Sequence, residues 1–221
     1  MIDKIARSVA EALAGIEDGS TVLVSGFGEA GVPNVLVEGL IEQGARDLVL
    51  VNNNAGVGRH GIAALMAAGR VRKMICSFPR SVGSVVFPEL YAAGKIELEV
   101  VPQGTLSERI RAGGAGLGGF YTPTGVGTQV ADGKDVRRID GKDYLLEMPI
   151  RGDVALVKAH VADRFGNLTY RKAARNYGPS MAMAGRRTVA EIDEIHDGGG
   201  LDPERIVTPG IFVDAVVKVD R

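Results

Sequence analysis

The chain has 221 residues, of which 45% are hydrophobic and 24% charged, and these proportions are ordinary for a soluble globular protein. Its net charge of -1 gives no electrostatic reason to expect nucleic acid or an anionic membrane as a partner, and no apolar run reaches the length of a membrane span. The single cysteine, Cys76, excludes an internal disulfide, and residues 1–7 lack the apolar core of a signal peptide, so we expect a cytoplasmic protein.

Apolar residues at helical spacing predict an amphipathic helix over residues 2–16. A β-rich run, Thr21–Val24, then leads into a glycine-rich turn over residues 25–31, and Pro33 opens the next helical pattern. A strand that ends in glycines before a helix leaves backbone N–H groups unpaired at the carboxyl edge of a sheet, where phosphate or another anion binds well. A tight turn without a ligand is the alternative, because the spacing of these glycines matches neither common phosphate loop.

Strand and helix patterns alternate along the next part of the chain. Strands are predicted at Leu48–Val51, Val71–Cys76 and Glu97–Val101, and helices at Ile62–Ala68 and Val85–Ala93. Val35, Leu36, Leu40 and Ile41 mark another helix, which stops at Gly44. Thr105 is predicted to cap a further helix, with Glu108 at the capping-box position. A small hairpin over residues 136–147 and strands at Val154–Val161, Val189–Ile195 and Phe212–Val219 complete the pattern. The alternation predicts one α/β domain over residues 1–221, with an open, mostly parallel sheet and helices on both faces.

Four glycine- or amide-rich turns follow predicted strands. They are Ser25–Gly31, Asn52–Gly58, Gln103-Gly104 and Gly113–Gly127. Turns of this kind meet at one edge of a parallel sheet, which favours a coenzyme or nucleotide site. Gln103, between a proline and a glycine, is placed to point its side-chain N–H at a carbonyl oxygen. The alternative is a loop amide that bonds the neighbouring backbone.

Few other residues suggest chemistry. Glu29 would act as a base or nucleophile if a ligand buried it, and is otherwise an ordinary exposed loop glutamate. The three histidines lie too far apart for a metal-ligand spacing, so we predict no metal site. Cys76 lies in an apolar run and is predicted to be a core residue, and Ser25 to be a structural turn serine.

Residues Asp18–Pro33 resemble the glycine-rich signature of the α subunits of class I (3-oxoacid type) coenzyme A transferases. That signature is an Asp-Gly pair, a hydrophobic triplet, Gly-Gly-Phe and Gly-x-Pro, and Ser25 stands here in place of its first glycine. The similarity continues over nearly the whole chain. Its further blocks are Asn53–Gly56, Ser77–Arg80, Gly94–Ala112, Pro123–Thr128 and Asp163–Asn176.

The resemblance implies an open α/β fold and transfer of coenzyme A between carboxylic acids, through acyl-anhydride and glutamyl-CoA thioester intermediates. The nucleophilic glutamate of the family lies in a Ser-Glu-Asn-Gly motif of the β subunit, and this chain lacks that motif. We therefore expect a catalytically incomplete chain that needs a β subunit, in an α2β2 assembly. Acyl-CoA and carboxylic acids are its expected substrates, and the coenzyme A thioester is a substrate rather than a bound cofactor.

The resemblance also implies site residues and a branch of the family. Gln103 takes the role of an oxyanion-stabilising amide, paired with a backbone N–H of the β subunit. The residues implied to line the coenzyme or acyl-substrate site are Gly26, Phe27, Gly28, Gly31, Asn53, Asn54 and Gly56. Residues 200–213 look most like the branch that acts on 3-oxoadipate, whose distal carboxylate would need Arg59, Arg80 or Arg164. Acetoacetate transfer, a glutaconate-type or hydrolase activity, and a non-catalytic acyl-CoA-binding module are the alternatives.

Overall fold

The computed structural model describes residues 2–196 and 200–219. The α-helices of these residues are α1 (Val9–Leu13), α2 (Asn34–Gln43), α3 (Gly61–Ala67), α4 (Val86–Ala92), α5 (Gln103–Gly114) and α6 (Gly178–Ala184). The strands are β1 (Thr21–Val24), β2 (Leu48–Val51), β3 (Val71–Cys76), β4 (Glu97–Val100), β5 (Phe120–Thr122), β6 (Val136–Ile139), β7 (Lys142–Glu147), β8 (Gly152–Lys158), β9 (Val161–Asp163), β10 (Leu168–Thr169), β11 (Gly185–Ile192), β12 (Glu194–His196) and β13 (Ala215–Lys218).

Seven strands form the central sheet in the order β13-β11-β8-β1-β2-β3-β4, and every neighbouring pair is parallel. Strand β1 lies in the middle, and its side chains alternate between two apolar cores: Val22 and Val24 face one core, and Leu23 faces the other. Helices α1 to α4 contribute to the first core, and α5 and α6 to the second. The predicted mostly parallel sheet with helices on both faces is confirmed. Burial on both faces explains why β1 and β2 are almost wholly apolar.

The predicted helix over residues 2–16 is wrong in its first half. Ile5 forms a parallel bridge to Val216, and Ala6 N–H donates to the Val216 carbonyl at 2.8 Å. These residues extend the edge of the sheet beside β13, and α1 begins only after Ser8, whose side chain accepts from Glu11 N–H. Pairing with a strand near the other end of the chain outweighs the local helical pattern here.

Three other sequence predictions need correction. Helix α5 begins at Gln103 after Pro102, so Thr105 is a buried residue of the first turn and not a cap. The strand predicted at Val154–Val161 divides into β8 and β9, which belong to different sheets. Helix α6 was not predicted, because its seven residues, Gly178–Ala184, are too few to show a helical period.

Two smaller sheets lie beside the central one. The predicted hairpin is confirmed as β6 and β7, and β5 pairs with β7 to form the antiparallel order β5-β7-β6. A second sheet has the order β10-β9-β12. Within the β5-β7-β6 sheet, the carboxylate of Glu147, which is 1% exposed, forms an ion pair with Lys134 Nζ at 2.6 Å. No helix among residues 2–196 and 200–219 combines the length and apolar character that a membrane crossing requires.

Candidate active site

Three loops meet where β1, β2 and β3 end. The side-chain amide of Asn52, which follows β2, donates to the Val24 carbonyl at 2.7 Å, and Asn54 Nδ2 donates to the Gly28 carbonyl at 3.4 Å. On the other side, the backbone N–H groups of Ser77 and Phe78 donate to the Asn53 carbonyl at 3.2 and 3.0 Å. Parallel strands deliver their following loops to one edge of the sheet, so the predicted convergence of the first two turns is observed.

Gln103, the first residue of α5, also contacts these loops. Its side chain is exposed, and Nε2 donates to Asn53 Oδ1 at 2.9 Å. A carboxamide nitrogen has two hydrogens, and the second one of Gln103 meets no acceptor among the described residues. The structure therefore brings together two of the residues singled out from the sequence, and among the described residues it leaves one N–H of Gln103 without an acceptor.

Asn53 is the hub of the contact. It is only 3% exposed, and its Oδ1 also accepts from Ser77 Oγ at 2.9 Å and from the Tyr177 hydroxyl at 3.2 Å. Sequence reasoning missed Tyr177, which directly precedes α6. The only signal was its place one residue after the family-like block that ends at Asn176. Asn176 itself holds the glycine loop, since Oδ1 accepts from Gly26 N–H at 3.1 Å and Nδ2 donates to the Ala30 carbonyl at 2.9 Å.

The fourth predicted turn, residues 113–127, reaches the site only in part. Gly113 and Gly114 are the last residues of α5, roughly 17 Å along the helix from Gln103 at 1.5 Å per residue. Strand β5 then returns toward the first turn of α5, and with Gly104 it lines a cavity of about 410 Å³. Close packing accounts for Gly113 and Gly114, whose Cβ positions lie under 3.0 Å from atoms of neighbouring segments, whereas nothing lies within 4 Å of the Cβ positions of Gly116, Gly118 and Gly127 in the described residues.

The glycines predicted to contact a ligand differ in what surrounds them. A Cβ at Gly26 would lie 2.5 Å from Val32 Cγ2, one at Gly31 would overlap the Ala174 carbonyl oxygen, and one at Gly56 would lie 2.8 Å from the backbone nitrogen of Ala63. Their lack of a side chain is thus explained by contacts inside the protein. Gly28 differs, because nothing lies within 4 Å of its Cβ position. Among these four residues, Gly28 is the one whose backbone is open to an approaching ligand.

The anion crevice predicted at the start of α2 is already filled by the protein. Oε2 of Glu191, on β11, accepts from the backbone N–H groups of Val35 and Leu36 at 2.9 and 3.3 Å. Glu191 is 1% exposed, and its Oε1 lies 3.4 Å from Nζ of the buried Lys158. A carboxylate stabilises the positive end of the helix dipole in the same way as a bound phosphate would. The start of α2 is therefore not a free phosphate site.

Glu29 is an exposed residue of the glycine loop, and its Oε2 lies 3.2 Å from His60 Nε2. This geometry favours the ordinary loop glutamate over a buried nucleophile. Beside it is an open cavity of about 290 Å³, whose walls include Lys158, His160 and Asp193. Lys158 Nζ and His160 Nδ1 lie 2.7 and 3.0 Å from the two carboxylate oxygens of Asp193, so both side chains contact the same carboxylate.

The three arginines considered for a distal carboxylate differ in their partners. Arg59 lies 3.4 Å from Glu89, and Arg164 lies 3.3 Å from Asp3. Arg80 is exposed in the loop after β3, and within residues 2–196 and 200–219 it forms no ion pair. Arg80 is thus the most available of the three for a substrate carboxylate.

Cys76 and Ser25 have structural rather than catalytic surroundings, as predicted. Cys76 is fully buried, and burial raises the pKa of its thiol to about 12, so the thiolate form of a nucleophile is disfavoured. Ser25 is also buried; its hydroxyl donates to the Gly31 carbonyl at 2.7 Å and accepts from Lys158 N–H at 3.0 Å. In the described part of the chain, no group of three His, Cys, Asp or Glu side chains is arranged to hold a metal ion.

Apolar side chains are exposed around the same edge. The exposed fractions are 50% for Phe27, 55% for Phe78 and 100% for Val82. Phe27 belongs to the glycine loop and the other two to the loop after β3, so all three lie in loops at the edge of the sheet where β1 and β3 end. Large apolar side chains exposed beside polar groups are typical of a binding surface.

Comparison with known proteins places the whole chain in one family. The family model described as coenzyme A transferase matches residues 6–219. The chain is 61% identical over 219 residues to a 3-oxoadipate CoA-transferase subunit of Pseudomonas putida, covering 99% of this chain and 95% of that protein. It is 50% identical over 207 residues to a succinyl-CoA:3-ketoacid coenzyme A transferase subunit of Xanthomonas campestris pv. campestris (strain B100), covering 93% of this chain and 85% of that protein.

A solved structure shows the same fold. Glutaconate coenzyme A-transferase from Acidaminococcus fermentans superposes with a TM-score of 0.87 at 21% identity, over 98% of this chain and 75% of that chain. At this identity the structural match supports the fold, and the sequence matches support the membership. The expectation drawn from the glycine-rich signature is confirmed: the chain belongs to the coenzyme A transferase family.

Proposed function

We propose that the chain is the α subunit of a 3-oxoacid CoA-transferase that moves coenzyme A from succinyl-CoA to a 3-oxo acid, with 3-oxoadipate as the preferred acceptor. The observation that carries the proposal is the carboxamide of Gln103, which Asn53 holds at the carboxyl edge of the sheet and whose second N–H has no acceptor among the described residues. Two relatives, at 61% and 58% identity, are both named as the corresponding subunit of a 3-oxoadipate CoA-transferase, and their names favour this acceptor.

The chemistry explains why a free N–H is useful. The β subunit supplies a glutamate carboxylate, which attacks the succinyl-CoA carbonyl, expels the coenzyme A thiolate and forms an acyl anhydride. The thiolate then attacks the glutamyl carbonyl, which gives the glutamyl-CoA thioester and releases succinate. The same steps in reverse, with the 3-oxo acid, form the product. Each attack places negative charge on a carbonyl oxygen, and we assign the stabilisation of that charge to the second N–H of Gln103.

The exposed rim of the site supports a partner that completes it. The chain has no Ser-Glu-Asn-Gly motif, so the nucleophile comes from a second chain. Phe27, Phe78 and Val82 are exposed in the loops after β1 and β3 and would be covered by that chain, which we take to be the β subunit of an α2β2 assembly. Such a cover excludes water from the anhydride, whose hydrolysis would waste it. The enzyme so assembled is cytoplasmic, and coenzyme A thioesters are its substrates rather than a resident cofactor.

The choice of 3-oxoadipate as the acceptor acid rests on Arg80. Its guanidinium has no ion-pair partner in the described residues and stands in the loop that also contacts Asn53 through Ser77 and Phe78. We assign it the distal carboxylate of 3-oxoadipate, because an arginine binds a carboxylate through two parallel N–H donors. Acetoacetate has no second carboxylate. It is the second candidate acceptor, favoured by the relative at 50% identity that is named for 3-ketoacids.

The test is a coupled CoA-transfer assay of this chain alone and mixed with a β subunit that carries Ser-Glu-Asn-Gly. We expect activity only in the mixture, with 3-oxoadipate preferred over acetoacetate. Gln103→Ala lowers kcat of the mixture by about 10²–10³, the effect of removing one oxyanion donor. The control is Gln129→Ala, an exposed glutamine outside the site. An unchanged rate for Gln103→Ala removes Gln103 from the mechanism, and binding of acyl-CoA without turnover in a folded mixture supports a non-catalytic binding module.

A further inference from the structure

We propose that Tyr177 and Asn53 are positioning residues: the Tyr177 hydroxyl fixes the Asn53 carboxamide, which in turn holds Gln103 Nε2 in the orientation needed for transfer. This inference rests on the oxyanion role of Gln103 in the proposed function. It gives Asn53 a role different from the substrate contact expected from the sequence, and it brings in Tyr177, which the sequence did not indicate.

Gln103 has little else to hold it. It is the first residue of α5, its side chain is exposed, and Asn53 Oδ1 at 2.9 Å is the acceptor the structure gives its side-chain amide. A carboxamide on a flexible, solvated side chain rotates freely unless a partner fixes it. A hydrogen-bond donor lowers a barrier most when it already points to where charge develops, so the orientation of this amide matters as much as its presence.

The Asn53 oxygen can perform this task because its other side is fixed. A carbonyl oxygen has two lone pairs, and three donors approach this one: Gln103 Nε2, Ser77 Oγ and the Tyr177 hydroxyl. The single hydrogen of Ser77 is shared with the Asn53 backbone carbonyl at 3.0 Å. The Tyr177 hydroxyl is therefore the donor that remains to fix the side-chain oxygen from the core side.

Burial makes that contact rigid. Tyr177 is 7% exposed and Asn53 3% exposed, and the Tyr177 ring belongs to the apolar core beneath α5 and α6. Rotation about the last torsion of an asparagine has broad wells, so packing alone does not choose where its oxygen points. Without the Tyr177 hydroxyl, the Asn53 carboxamide turns more freely and Gln103 loses a fixed acceptor. The chain of contacts thus runs from the core, through Asn53, to the exposed amide.

The experiment uses the reconstituted complex and the variants Tyr177→Phe and Asn53→Ala, each made alone and together with Gln103→Ala. We expect each single change to lower kcat about ten- to a hundredfold, the scale set by a small misplacement of a catalytic group. KM for succinyl-CoA and for the acid stays within about twofold, because the lost interaction is made only in the transition state. In the Gln103→Ala background neither change lowers kcat further.

Tyr170→Phe is the matched control. Its hydroxyl bonds Thr208 Oγ1 at 2.7 Å in the same core, so the substitution removes an equivalent tyrosine hydrogen bond that does not lead to Gln103. We expect kcat of this variant to equal that of the unmodified complex. The inference would be overturned if Tyr170→Phe and Tyr177→Phe lowered kcat equally. It would also be overturned if Tyr177→Phe lowered kcat by the same factor in the unmodified and in the Gln103→Ala background.

The remaining outcomes are separable. If Gln103→Ala itself leaves kcat unchanged, the proposed role of Gln103 fails and the inference fails with it. If Gln103→Ala lowers kcat but Tyr177→Phe and Asn53→Ala do not, only the inference fails. A raised KM with unchanged kcat in Asn53→Ala would return Asn53 to direct substrate binding and contradict positioning. Should Tyr177→Phe fail to fold, the Asn53→Ala pair decides the question by the same comparison.

Discussion

Substituting alanine at Gly28 and at Gly26 separates ligand contact from folding within one loop. Gly28 has a φ of +61°, and nothing lies within 4 Å of its Cβ position. The added methyl group therefore meets no atom of the described residues, and its cost is that of a left-handed conformation, about 1 kcal/mol. For a chain of this size, that free energy lowers the melting temperature by about 2–4 °C.

Gly26 is expected to behave differently. Its φ of +137° lies in a region that other residues rarely adopt, and a Cβ would stand 2.5 Å from Val32 Cγ2 in the core. Overpacking costs about 1–3 kcal/mol, and the strained backbone costs about 1–3 kcal/mol more. Gly26→Ala should thus lose about 2–6 kcal/mol, so its melting temperature falls further than that of Gly28→Ala, and activity is lost together with the fold.

The assay pairs thermal unfolding, followed by circular dichroism, with transfer kinetics of the reconstituted complex. If the Gly28 backbone bonds the ligand, the methyl group displaces it, and losing a hydrogen bond to a charged group costs about 1.5–3 kcal/mol. KM for acyl-CoA then rises about 10- to 150-fold in a folded protein. Unchanged KM and kcat in Gly28→Ala would refute ligand contact and leave the loop as a turn only. A wild-type melting temperature in Gly26→Ala would refute the steric reasoning.

Two further predictions concern charge. Arg80→Gln should raise KM for 3-oxoadipate about tenfold, because a charged contact near a solvated surface is lost. KM for acetoacetate should not change, and in the control Arg59→Gln neither the KM for 3-oxoadipate nor the KM for acetoacetate should change. Equal effects of Arg80→Gln on the two acids would contradict the assignment of Arg80. Because burial raises the pKa of Cys76 from 9.0 to about 12, the unfolded thiol loses its proton first as the pH rises above 9. The free energy of unfolding therefore falls by about 1.4 kcal/mol per pH unit between those values. Denaturant titrations at pH 8 and pH 10 measure this fall, and a fall of the same size in Cys76→Ala would show that another group causes it.

The local sequence predicted the elements whose residues carry their own reason for being there. Strands β1 and β2 were predicted at their observed bounds, since short apolar runs between turn residues have few alternatives in a sheet buried on both faces. Helix α2 ends where predicted, at Gly44, whose φ of +97° stops the helix without steric cost. The convergence of the turns after β1 and β2 followed from the same reasoning, because parallel strands fix which edge their loops share.

The sequence by itself thus determined the fold class, the family signature and the prominence of Gln103, all of which depend on residues close together in the chain. Only the tertiary structure decided what those residues touch. Ile5 pairs with Val216, Glu191 fills the start of α2 from 155 residues away, and Tyr177 reaches Asn53 across 124 residues. Such contacts are set by the packing of distant elements against one another. A periodicity or a motif describes only neighbours, and so the site's supporting residues became visible only in the folded chain.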